Sequence, residues 1–303
     1  MNQPKEATVS AASARPLTLA MDYVALTKPA IMSLLIFTML GAMMLAYGGM
    51  PPWHLVLWAI VGGAFSSGGA SAINHSMDRD IDQIMARTRH RPVADERVSP
   101  ARALAFGILL NAAAFAVFAI AANLLSAVLA LSGALFYIFV YTAWLKRSST
   151  QNIVIGGAAG AFPPLVGWAA VTGSLSLPAW YMFTIIFFWT PPHFWALSLL
   201  LKKDYEAAKV PMFPVVFGER ETQIVIFLYT VTVVLVTLLF YLSTSLLGWV
   251  YLAAALALGG AFIWYAAILV RRPTKLNARR MYLYSLLYLA AVFLAIMIDG
   301  SLS

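Results

Sequence analysis

Cysteine is absent from the 303 residues. That excludes disulfides, thiolate metal sites and a cysteine nucleophile. Charge is scarce: 11% of residues are Asp, Glu, Lys or Arg, against about 25% in soluble globular domains. The opening stretch lacks the basic start, apolar run and small-residue cleavage site of a signal peptide. Its first 20 or so residues are Ala/Ser-rich and polar, with one Arg and one Glu, a poor transit peptide. Residues 1–25 therefore read as a short disordered tail ahead of one domain over 26–303. What the chain has in abundance is apolar surface, with 62% hydrophobic residues. A soluble fold of this size has no place to hide so much, whereas a bilayer solvates it.

Apolar runs of about 20 residues mark membrane-spanning helices. Nine are present, over roughly 30–48, 54–74, 101–121, 124–143, 153–172, 179–200, 222–242, 247–270 and 281–299. Several breaks carry Gly or Pro, as at Gly48-Gly49 and Pro51-Pro52. With nine crossings, all 20 basic residues fall on one side. A miscounted helix would scatter them. The positive-inside rule places that side in the cytoplasm, so the net charge of +8 reflects orientation and not nucleic-acid binding. The N-terminus is then cytoplasmic, the C-terminus lies opposite, and a bacterial cytoplasmic (inner) membrane is expected. Eleven of the 12 acids share the basic side, Asp299 being the exception. Something at that face uses both signs of charge.

The second apolar run ends in Asn74-His75-Ser76-Met77-Asp78-Arg79-Asp80-Ile81-Asp82. Asn74, Asp78 and Asp82 are spaced i, i+4, i+8 and on a helix stay within roughly 80° of one another; Asp80 points elsewhere. Stacked oxygen-bearing groups, two of them anionic, repel unless a cation sits between them. Mg²⁺ takes oxygen ligands and is commonly held by one or two carboxylates plus substrate phosphates. Arg87-Thr88-Arg89-His90-Arg91-Pro92 follows within one loop, and Arg forks suit the remaining phosphate oxygens. The competing reading is a snorkelling, self-neutralising loop at the membrane face.

A second acidic segment, Lys202-Lys203-Asp204-Tyr205-Glu206, follows the sixth run. The two segments lie four helices apart. The expected fold is therefore an all-α integral membrane protein of nine helices: two pseudo-repeated four-helix units sharing one charged mouth, plus a ninth helix. Pro163-Pro164 and Pro191-Pro192 interrupt the fifth and sixth runs, which membranes tolerate where protein re-satisfies the backbone. Kinks there are candidates to shape an acceptor cavity.

With Asn74, Asp78 and Asp82 matching N-x-x-x-D-x-x-x-D, the sequence resembles the UbiA-type intramembrane prenyltransferases. Leu26-Thr27-Lys28-Pro29, Tyr141 through Arg147, Gln151 through Gly157, Pro163 through Trp168, Thr190-Pro191-Pro192-His193-Phe194-Trp195 and Val210-Pro211-Met212-Phe213-Pro214-Val215 extend the likeness over most of residues 26–220. The last two stretches point to the heme-modifying branch. One departure stands out. Where the superfamily's second motif is often D-x-x-x-D, the matching positions are Asp204 and Ala208, so one carboxylate is missing.

The resemblance implies transfer of a farnesyl group from farnesyl diphosphate to a vinyl group of heme B, giving heme O, with Mg²⁺ as cofactor. Asn74, Asp78, Asp82 and Asp204 would hold the metal. Arg87, Arg91, Lys146 and Lys203 would bind the diphosphate, and His193 is the candidate contact to the heme acceptor. The implied partners are the bilayer and, downstream, a heme A synthase or terminal oxidase pathway. Two alternatives remain: a UbiA-type enzyme acting on an aromatic acceptor such as a hydroxybenzoate or naphthoate, and a transporter with an acidic cytoplasmic mouth.

Overall fold

The computed structural model describes residues 16–302. Among these, nine helices are long and apolar enough to cross a membrane: Pro29–Tyr47, Trp53–Met77, Pro100–Ala121, Leu124–Ser148, Asn152–Thr172, Leu177–Leu200, Glu219–Leu242, Trp249–Arg271 and Lys275–Leu302. They are called the first to ninth spans below. Every one coincides with an apolar run read from the sequence, because a bilayer demands length and hydrophobicity together. Residues 1–15 of the expected tail lie outside the described residues. Pro16–Leu26, however, form a helix where unstructured chain was expected. Leu26 at its end is fully buried and packs with Ala72, Val93, Val98 and Ala103, so tertiary contact orders a segment too short to read as a span.

Sequential spans pack side by side, and the ninth closes the ring against the first. The first span also lies on the fifth, and the sixth on the ninth. The core is deepest around the sixth span, where Met182, Ile185, Trp189, Trp195 and Ala196 meet Ile226, Val233, Tyr288 and Val292. The outward faces carry exposed Ile108, Leu109, Ile120, Leu235 and Leu287, a distribution lipid tolerates and water does not. Trp53 and Trp249, both largely exposed, begin the second and eighth spans, as amphipathic rings do at a membrane interface.

Small residues set the closest approaches. A Cβ at Gly69 would lie 2.7 Å from the Gly107 carbonyl oxygen, and one at Gly107 would lie 2.6 Å from that of Gly69. The second and third spans touch backbone to backbone there, the packing that small residues allow in membranes.

Asp299, the lone acid of the opposite face, is buried. One of its carboxylate oxygens accepts from the backbone N–H groups of Gly248 and Tyr251, at 2.7 and 2.8 Å. It thus satisfies the otherwise orphaned donors at the start of the eighth span and places negative charge at the positive helix end. Asp299→Ala is expected to cost about 1–2 kcal/mol, read as a lowered unfolding midpoint in detergent with no change in substrate affinity.

The fourth span is not uniformly α-helical. Phe136–Leu145 winds as a π-helix, with i→i+5 in place of i→i+4 bonding. The fifth span breaks at Gly157, between Asn152–Gly156 and Ala158–Thr172. The proline pairs expected to kink the bundle sit inside continuous helix, Pro163-Pro164 after that break and Pro191-Pro192 within Leu177–Leu200.

Candidate active site

The second span ends at Met77, and Asp78 (φ −94°, ψ 10°) joins it to the short helix Arg79–Ile84. The continuous helix expected through Asp82 is therefore bent at Asp78. The i→i+4 bonds survive the bend: the Asp78 N–H donates to the Asn74 carbonyl (2.9 Å), and the Asp82 N–H to that of Asp78 (2.8 Å). Asn74, Asp78 and Asp82 are all buried, at 2%, 0% and 2% exposure, so the acids of this motif face inward.

Each of the three is met by a cation. The Lys28 ammonium donates to Asn74 Oδ1 at 2.8 Å. Lys146 Nζ donates to Asp78 Oδ2 at 2.5 Å, and Asn74 Nδ2 donates to the same oxygen at 2.6 Å. One guanidinium nitrogen of Arg91 donates to both oxygens of Asp82, at 2.9 and 2.8 Å. Arg147 grips exposed Asp80 through both terminal nitrogens, at 2.7 and 2.8 Å, and holds that carboxyl at a pKa of about 2, chiefly through this hydrogen bond. Lys28 is lowered to about 7, first by burial and then by the charges of Arg91 and Lys146, against the pull of Asp82 and Asp78.

The four cations assigned to diphosphate thus divide. Arg91 and Lys146 neutralise the acids, whereas Arg87 and Lys203 are exposed and form no ion pair among the described residues. Asp204 is partly buried on the facing loop and makes no ion pair with the first cluster among the described residues. The two loops do meet. Asp80, Ile81 and Ile84 line a cleft of about 190 Å³ together with Arg147, Ala208, Lys209 and Val210. Ala208, where the superfamily's second carboxylate is missing, is part of that lining.

Three contributors stand in the stretches that carry the family likeness but have no role assigned from sequence. Lys28 stands in a left-handed turn (φ 50°) ahead of Pro29, and nothing in the charge pattern separates it from an ordinary boundary lysine. Thr142, fully buried, accepts from Asn74 Nδ2 at 3.1 Å. Arg147 reaches the Met77 carbonyl as well as Asp80. Thr142 lies inside the π-helical segment, and Arg147 in the short α-helical turn Lys146–Ser148 that follows it.

A self-neutralising loop accounts for the ion pairs but not for the buried polar atoms left without partners. Asp78 Oδ1, both ring nitrogens of His75, both amide atoms of Asn152 and the Ser71 hydroxyl are buried with no hydrogen-bond partner among the described residues. Arg147 lies 3.6 Å from Asp78 Oδ1, beyond hydrogen-bonding distance. Such orphaned polar groups are costly unless a ligand satisfies them. No three His, Cys, Asp or Glu side chains converge as a ready metal cage among the described residues. Two carboxylates and an amide oxygen nevertheless suit a hard cation that arrives with phosphate oxygens and keeps some waters. The donor set fits Mg²⁺ on that condition.

His193, in the sixth span, lies apart from this cluster. It is buried, with Nδ1 2.7 Å from the Ser285 hydroxyl of the ninth span.

Residues 34–295 match the model of the UbiA prenyltransferase family. The chain is 51% identical over 282 residues to a protoheme IX farnesyltransferase of Roseiflexus castenholzii, an alignment spanning 93% of this chain and 52% of that protein. It is 52% identical over 278 residues to a protein of that name from Thermus thermophilus, spanning 92% of this chain and 46% of that one. A third, from Symbiobacterium thermophilum, is 52% identical over 280 residues, covering 92% and 93%. The chain therefore spans about half the length of the Roseiflexus and Thermus relatives. Among solved structures, a digeranylgeranylglyceryl phosphate synthase superposes with a TM-score of 0.77 at 18% identity, covering 94% of this chain and 99% of that one. A UbiA homolog from Archaeoglobus fulgidus bound to GPP and Mg²⁺ gives 0.66 at 17%, covering 91% and 99%. At such identities these two establish the fold. With the family model matched across all but the chain's ends, and a buried Asn/Asp cluster at one mouth of a nine-helix ring, this chain belongs to the UbiA prenyltransferase family.

Proposed function

We propose that this chain transfers a farnesyl group from farnesyl diphosphate to a vinyl group of heme B, giving heme O. The observation that carries the diphosphate half is the buried Asn74–Asp78–Asp82 cluster with its orphaned Asp78 oxygen and surrounding cations. The acceptor rests on the farnesyltransferases of that name, which are about half identical to it across more than nine-tenths of its length.

Asn74, Asp78 and Asp82 would hold Mg²⁺, with Asp204 joining from the facing loop; when bound, the metal offsets charge on the diphosphate oxygens. Arg87 and Lys203, exposed and outside the ion pairs of the described residues, are set to take the first phosphate contacts. Lys146 and Arg91 exchange their carboxylate partners for phosphate oxygens as the substrate enters, so no cation moves far. The allylic carbon–oxygen bond then breaks, and its electron pair leaves with the diphosphate, whose growing charge these cations stabilise. The apolar helices keep water from the allylic cation. The vinyl carbon attacks, forming the new carbon–carbon bond. Water adds to the resulting cation next to the porphyrin ring and releases a proton. The basic face lies in the cytoplasm by the distribution of charge. That puts the site at the inner surface of a bacterial cytoplasmic membrane, with a heme A synthase or terminal oxidase pathway downstream.

The test uses purified protein in detergent with farnesyl diphosphate, Mg²⁺ and heme B, and mass spectrometry to detect a farnesylated heme. Metal-dependent heme O supports the reading. Product only with a hydroxybenzoate or naphthoate would replace the acceptor, and no transfer to any acceptor by folded protein would overturn the enzyme. Within this assay, Arg87→Ala is expected to raise the KM for farnesyl diphosphate about 10-fold, the worth of one charged hydrogen bond. The unfolding midpoint should not move, because Arg87 is exposed and holds no carboxylate among the described residues.

A further inference from the structure

His193 is held on three sides. Its ring stacks on Trp189 of the same span (centroids 4.4 Å apart, planes at 17°) and on Tyr282 of the ninth span (4.9 Å, 29°). Phe194 meets it edge-on at 5.2 Å. The remaining constraint is a proton count. The Ser285 hydroxyl has one hydrogen, and its 2.6 Å contact with the Tyr282 carbonyl assigns it there, since a carbonyl oxygen only accepts. With that hydrogen on the carbonyl, the 2.7 Å contact between Ser285 Oγ and His193 Nδ1 has Nδ1 as its donor. In the neutral ring that leaves the lone pair on Nε2. No described residue hydrogen-bonds Nε2, and it is not among the sealed, unpartnered polar atoms, unlike both nitrogens of His75. Trp189 Nε1 donates to the Ser285 carbonyl at 2.7 Å, so the hydroxyl's own backbone is pinned as well.

A neutral histidine whose other nitrogen donates to a fixed oxygen is the arrangement that metal-binding histidines use. His193 lies seven residues before Leu200, the end of the sixth span. That puts it roughly 10 Å below the charged mouth, among the rings of Trp189, Phe194 and Tyr282.

We propose that His193 Nε2 is an axial ligand to the iron of the acceptor heme, and that Ser285 is the positioning residue that fixes the required tautomer. This rests on the function proposed above, with heme as substrate. The test titrates ferric heme B into the purified full-length protein and follows absorption and electron paramagnetic resonance, alongside direct binding of farnesyl diphosphate. Wild type should show a histidine-ligated signature. His193→Ala should lose it and regain it with added imidazole. His193→Gln, which keeps a donor for Ser285, should also lose it. Farnesyl diphosphate binding should be unchanged in both, which reports an intact fold. Ser285→Ala should weaken heme binding about 10- to 100-fold, the range for an outer-shell partner, and Ser285→Thr should restore it. An unchanged heme signature in His193→Ala, or equal heme affinity in Ser285→Ala and wild type, would overturn the proposal. Farnesylated heme formed by wild type alongside an unchanged signature in His193→Ala sinks the ligand assignment and leaves the reaction standing. The signature lost in His193→Ala, with no heme farnesylated by wild type, supports the ligand and sinks the reaction.

Discussion

Asp78→Asn is expected to lower turnover about 10²- to 10³-fold, the usual consequence of removing one group that stabilises transition-state charge. Asp78 is fully buried, one of its oxygens accepts from Asn74 and Lys146, and the other has no hydrogen bond. It is therefore at once the central anion of the cluster and a structural counter-ion. Asparagine keeps the shape and removes the charge, which strands Lys146 in a site where its side chain is only 13% exposed. Breaking a buried pair on one side costs about 3–5 kcal/mol, so an inactive single variant is by itself ambiguous. The double variant Asp78→Asn with Lys146→Met separates the two roles. Removing both charges should recover most of the unfolding midpoint while farnesyl transfer stays at or below the level of the single variant, since Lys146 is itself a proposed phosphate contact. Recovery of activity together with stability would show that Asp78 serves only to pair Lys146.

Gly167→Ala is expected to be among the most destabilising single-methyl additions in the chain. A Cβ there would lie 2.3 Å from the Met39 carbonyl oxygen and 3.1 Å from its carbon. These are backbone atoms of the first span and cannot rotate away. The fifth and first spans would have to separate, and the cost should reach about 3 kcal/mol or more, at the upper end for overpacking. The built-in control is Gly160→Ala in the same helix, where an added Cβ meets nothing within 4 Å. It should be neutral or slightly stabilising, since alanine is the better helix former. Unfolding midpoints of the two variants in one detergent decide the matter. Equal midpoints would mean that the first and fifth spans are not held in this contact.

These two residues show how differently the chain announces its parts. Asp78 is visible in the sequence because a carboxylate four residues from Asn74 and four from Asp82, at the end of an apolar run, is chemically conspicuous. Gly167 is one glycine among 19, and nothing local distinguishes it from Gly160. Only the neighbouring span makes the difference. The same contrast separates Asp299, noticed as the one acid on the wrong side, from its task of capping the eighth span, which depends on where residues 48 and 51 positions earlier in the chain come to rest.

By itself the sequence determined the nine spans, their alternation and the charged face, because a bilayer imposes length, hydrophobicity and charge asymmetry on the chain locally. It also determined the Asn74–Asp78–Asp82 register, which survives the bend at Asp78 because the i→i+4 bonds continue across it. Tertiary structure decided which cations answer those acids. Lys28 is 46 residues from Asn74, and Lys146 is 68 from Asp78, and a pairing that distant has no periodicity to betray it. Folding likewise brought Thr142 to Asn74, 68 residues away, and Arg147 to Asp80, 67 residues away. Folding brought His193 to Ser285 as well: the two lie 92 residues apart in the chain, and the hydrogen-bonding partner of a buried histidine is a property of the fold.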